Sequence, residues 1–188
     1  MPNPPDVLLI AALNVAIACT ALAGETNSAA SAAIQYPSRV GTHPIALEVR
    51  AAVNKFPTIE AQTEYLAGIL TNQPAPTDVG NSQKVSAIRL LGYAGKTNST
   101  DLLLSQIAFR DINGHSYPAV YALAHLGEAA VPKLLDLVDE STNQIAIANA
   151  VQTLVLIKGT NYETFVLRQK DNVRPDTWNK LIRHALNE

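Results

Sequence analysis

Apolar residues recur at helical spacing along most of the chain, and residues 117–140 carry the pattern most fully. Val120, Leu123 and Leu126 stripe one segment. Val131, Leu134, Leu135 and Val138 stripe the next at the i, i+3, i+4, i+7 spacing that gathers side chains on one helix face. Gly127 closes the first segment, where a left-handed backbone costs a glycine nothing. Pro132 falls in the first turn of the second, where its missing N–H is no loss. Two short helices bent back on each other are predicted.

The first helix of this hairpin has two copies. Ala119-Val120-x-x-Leu123-x-x-Leu126-Gly127 matches Ala87-Ile88-x-x-Leu91-x-x-Ala94-Gly95 upstream. Downstream it matches Ala150-Val151-x-x-Leu154, with Gly159 one residue late. The anchor alanines at 87, 119 and 150 lie 32 and then 31 residues apart. A fixed period of this size marks stacked repeats, because a lone helix pair cannot cover its own apolar face. The same reading predicts helix pairs over 44–56 with 58–70, 82–95 with 100–109, 117–126 with 129–140, and 144–158 with 161–170. Residues 72–82, with Pro74, Pro76 and Gly80, read as a loop. After a break at 171–175, Asp176 or Thr177 is expected to cap a last helix whose Trp178, Leu181, Ile182, Ala185 and Leu186 share a face.

The AVYAL helix and the LGEAAVPKLLDLVDES segment after it resemble the HEAT-like repeats of bacterial proteins, including the short form in phycobilisome lyases. The likeness extends over 82–171, about half the chain. It implies an all-α fold, a short right-handed α-α superhelix of helical hairpins. For function it implies a surface for a protein or peptide partner, or, by likeness to the lyases, a cofactor-handling factor.

Composition narrows the classes. Of 188 residues, 47% are hydrophobic and only 5% aromatic, which asks for an aliphatic, alanine-rich core of packed helices. The formal net charge is -2 and no Lys/Arg cluster stands out, so a nucleic-acid partner is not expected. Residues 1–23 are read as a secretory signal peptide ending at Ala21-Leu22-Ala23, with an uncleaved membrane anchor or a buried helix as alternatives. Cleavage there removes Cys19, the one cysteine, and with it disulfides and thiolate chemistry. Lipidation of Cys19 is the remaining alternative. The organisation expected is a leader over 1–23, a flexible linker over 24–43 and a helical repeat domain over 44–188, in a periplasmic or secreted protein.

Catalytic signatures are missing. There is no GxSxG, GxGxxG or P-loop, and His43, His115, His125 and His184 lack the spacing of a metal face. Asp139-Glu140 reads as a solvated helix end. No catalytic residue, metal or cofactor is therefore assigned. The most function-like stretch is Arg110-Asp111-Ile112-Asn113-Gly114-His115-Ser116-Tyr117, a polar turn between two repeats. With the ring of Tyr121 it yields the expected partner-binding residues: Arg110, Asp111, His115, Tyr117 and Tyr121. Tyr93 and Tyr162 are further candidates for partly exposed rings.

Overall fold

A computed structural model describes residues 32–36, 43–72, 77–95, 97–111 and 116–185, all within one compact unit that begins at Ala32. The leader expected over 1–23 lies outside them. The unit is all-α: α1 (Pro44–Val53), α2 (Ile59–Thr71), α3 (Asp78–Ala94), α4 (Thr100–Ser105), α5 (Pro118–Leu126), α6 (Val131–Glu140), α7 (Gln144–Lys158), α8 (Tyr162–Gln169) and α9 (Pro175–Ala185). Short 3-10 turns lead into α4, α6 and α8. Among the described residues the one β feature is an antiparallel bridge between Ala32 and Thr58, and no helix is long and apolar enough to cross a membrane.

The helices begin and end for local reasons. Thr58 caps α2 by accepting the Ala61 N–H at 3.2 Å, and Asn143 caps α7 by accepting the N–H groups of Ile145 and Ala146. Pro44, Pro118 and Pro132 each sit in a first turn. Gly127 leaves α5 at φ 62° and ψ -141°, a conformation closed to other residues. Gly95 and Gly159 also have positive φ, and the three glycines lie 32 residues apart. The glycine placed one residue late relative to the alanine anchors thus keeps the helix ends in step.

Several boundaries differ from the expectation. The loop expected over 72–82 ends early, because Thr77 accepts the Gly80 N–H at 3.0 Å and starts α3 at Asp78. Gly80, read as a loop residue, is buried in that first turn. Helix α4 stops at Ser105 instead of running to 109. There the chain turns, burying Ile107 and offering its carbonyl to the Asn149 amide of α7 at 2.8 Å. Helix α9 begins at Pro175, with the Trp178 N–H on the Arg174 carbonyl, so Asp176 and Thr177 lie inside its first turn and do not cap it. Thr177 turns instead to Asp139 of α6.

The packing order alternates along the chain. Helix α3 lies against α1 and α5, and α5 against α7, while α4 meets α6 and α6 meets α9. The anchors Ala87, Ala119 and Ala150 are fully buried, and the leucines four residues on (Leu91, Leu123, Leu154) fill the space between helices. Each such leucine contributes roughly 1.5–3 kcal/mol of burial. Two ion pairs span about one period: Lys133 to Asp101, and Lys158 to Glu128 at 2.6 Å. Leu134 is fully buried as expected, but Leu135 is only half-buried.

Residues 32–36 fall in the stretch expected to be a linker, and they lie extended on the α1/α2 pair. The fully buried Gln62 accepts the Ile34 N–H at 2.9 Å and donates to the Ile34 carbonyl at 2.8 Å. Asn54 accepts the Tyr36 N–H at 3.1 Å. These bonds satisfy a side chain that would otherwise be costly to bury. At the other end, α9 covers α8: Leu181 is fully buried, the Tyr162 hydroxyl donates to its carbonyl, and Trp178 Nε1 donates to the Val166 carbonyl.

Candidate binding groove

Helices α3 and α5 meet at Gly92 and Ala122. A Cβ on Gly92 would stand 2.5 Å from the Ala122 Cα, so the two backbones are in contact. A glycine and an alanine add no bulk at the crossing. The longer side chains on either side therefore stand around a hollow of about 500 Å³, open to solvent, within the size range of ligand sites. Arg89 and Tyr93 line it from α3. Ser116 and the α5 residues Pro118, Tyr121, Ala122 and His125 line it from the other side.

The lining is mostly apolar, with two tyrosine rings, one proline and a basic edge. Tyr121 is 58% exposed, a high value for so large an apolar surface. Tyr93 is held from behind by Tyr36, whose ring centroid is 5.8 Å away at 54°. Burial pushes the Tyr36 phenol up to about 12, so it stays protonated and keeps packing as a neutral ring. Among the described residues no carboxylate pairs with Arg89. The Asp111 carboxylate accepts from the Ser116 hydroxyl at 2.6 Å, and the Asp111 N–H donates to the Ser116 carbonyl at 3.1 Å, so the two residues are tied together beside the groove.

The five residues expected to bind a partner are thereby sorted. Tyr121 is in the groove. Asp111 is bonded to Ser116. Tyr117 is half-buried at the extended N-cap of α5, and Arg110 is exposed; neither lines the groove. His115 lies outside the described residues. Tyr93 lines the groove as a partly buried ring, whereas Tyr162 is buried under α9.

Arg89, Pro118 and His125 were not anticipated, yet the alanine register points to two of them. Arg89 and Tyr93 stand two and six positions after Ala87; Tyr121 and His125 stand two and six after Ala119. The groove is built from equivalent positions of α3 and α5, counted from their buried alanines.

A second hollow, of about 550 Å³, lies where α6 meets residues 169–174 and holds Asp136, Asp139, Asp171 and Arg174. Arg174 Nε donates to Asp139 at 2.6 Å, so that acid is already engaged. Among the described residues no group of His, Cys, Asp and Glu is arranged to hold a metal ion. No family model matches the chain, and no solved structure matches it.

Proposed function

We propose that this chain is a non-catalytic interaction module of the cell envelope, built of stacked HEAT-like helix pairs that wind as a short right-handed superhelix. Its α3/α5 groove receives a protein or peptide. The groove itself carries the reading: an exposed tyrosine, a second tyrosine and an arginine around an apolar floor are the residue types that dominate the energetics of protein interfaces. The stacked-repeat part is supported by the alternate packing of α1, α3, α5 and α7, by the anchor alanines and by the evenly spaced positive-φ glycines. Export is supported by the apolar stretch and small-residue pattern of residues 1–23.

A photo-crosslinking amino acid at position 121, compared with one at the exposed Leu167 on α8, tests the reading in envelope extracts of the native host. A discrete protein adduct formed from position 121 and absent from position 167 is expected. No adduct at 121, or the same adducts from both positions, contradicts it.

A further inference from the structure

We infer that the occupant of the groove is an extended peptide lying across α3, α5 and α7, with an acidic residue at the α3 end and an apolar residue at the α7 end. This rests on the groove being the binding surface. The positions two and six residues after each buried anchor alanine are Arg89 and Tyr93, then Tyr121 and His125, then Gln152 and Leu156. Leu156 is 43% exposed on α7, which packs against α5 as α5 packs against α3. The same surface thus continues past the groove onto a third helix. Its chemistry changes along the way, from a guanidinium, through tyrosine, to an exposed leucine.

Charge decides the occupant at the α3 end. The charged or ionisable groups lining the groove besides the tyrosines are Arg89 and His125, both basic, and the Asp111 carboxylate behind Ser116 already accepts that hydroxyl. A carboxylate on the ligand complements this edge, and an Arg fork binds it in two-pronged fashion. Tyr93, Pro118 and Tyr121 then suit an apolar residue, and Leu156 a second. Geometry fixes the spacing. Neighbouring helices lie about 8–10 Å apart, so α3 to α7 is roughly 16–20 Å. An extended chain covers about 3.3 Å per residue, which puts the acidic and the distal apolar side chain some five or six positions apart.

A displayed library of random octapeptides, selected on the full purified chain, tests this directly. The expected binders carry an acidic residue and, some five or six positions away, an apolar one. Tyr121→Ala and Arg89→Glu should each weaken them about tenfold or more, and Leu156→Asp should weaken the same set. Far-ultraviolet circular dichroism and melting temperature should be unchanged in all three variants, whose side chains are exposed. Binders that need Tyr121 but carry no acid, or are indifferent to Arg89→Glu, overturn the inference and leave the groove reading intact. Indifference to Leu156→Asp overturns the three-helix path in the same way. Absence of any Tyr121-dependent binder overturns both. Self-association that Tyr121→Ala abolishes makes a second copy the occupant and also overturns the acidic peptide.

Discussion

Replacing Gly92 with alanine sets two effects of opposite sign against each other, and the α3/α5 crossing decides between them. Alanine is the better helix former by about 1 kcal/mol. Its Cβ, however, would lie 2.5 Å from the Ala122 Cα, 2.6 Å from its Cβ and 3.0 Å from its carbonyl oxygen. Carbon atoms pack best at about 3.5–4.0 Å, so the shortfall is on the order of 1 Å. None of the three atoms can rotate away, because two are backbone and the third is fixed to it. The helices must part, loosening the contacts of Leu91 and Leu123 close by. Overpacking of this kind costs about 1–3 kcal/mol, and contact with backbone places Gly92→Ala near the upper end. After the helix-propensity gain, a net loss of about 2 kcal/mol is expected, or roughly 4–8 °C in Tm for a domain of this size. Gly68→Ala in α2 is the matched control. Its new Cβ meets only the Asn72 side chain, at 4.0 Å, so it should stabilise by about 0.5–1 kcal/mol. Thermal and urea unfolding of both variants is the assay. If Gly92→Ala stabilises, or behaves like Gly68→Ala, the crossing is not as close as described.

Three other outcomes are expected. Leu134→Ala should cost ~2–5 kcal/mol in chemical unfolding and the half-buried Leu135→Ala distinctly less; equal costs would mean that the packing face of α6 is misassigned. Arg174 and then Thr177, by hydrogen bonds to Asp139, hold its carboxyl below the usual carboxylate range. Their contribution is therefore present above that range, near 3.9, and lost as pH falls through the lowered value. The fluorescence of Trp178, the single tryptophan, should report α9 loosening in acid, and an acid transition unaltered by Asp139→Ala would contradict this. Burial pushes Tyr36 and Tyr162 up to about 12, so the folded state keeps protons that the unfolded chain releases from about 10 upward. Stability should decline as pH rises through that window. Replacing both tyrosines with phenylalanine should flatten the decline in guanidinium titrations at alkaline pH, and an unchanged slope would rule these two phenols out as its cause.

The helices were legible because their signals are local. Apolar spacing, prolines in first turns and closing glycines placed seven of the nine helices among the described residues to within about three residues. One exception is a local cap and the other a contact distant in sequence. Thr77 and Gly80 look like loop residues until the buried start of α3 is seen, and Ile107 leaves α4 because Asn149, far along the chain, takes its carbonyl. The strap at residues 32–36 has no periodic signal, since Gln62 and Asn54 hold its backbone and not a side-chain pattern. The groove was half legible. Tyr121 stood out by its chemistry, but Arg89 and His125 emerge only when the anchor alanines are used as a ruler across two helices. Polar residues gathered in one turn drew attention to 110–117, whereas the hollow arises from what is missing: side-chain bulk at Gly92 and Ala122.

Hydrogen–deuterium exchange of the full chain, with and without a selected acidic octapeptide, is the most direct measurement of where binding occurs. Slowed exchange confined to the Arg89–Tyr93 and Pro118–His125 stretches and the facing part of α7 is the expected result. Slowed exchange on α4, α6 and α8 instead, or none anywhere under saturating peptide, would contradict the account.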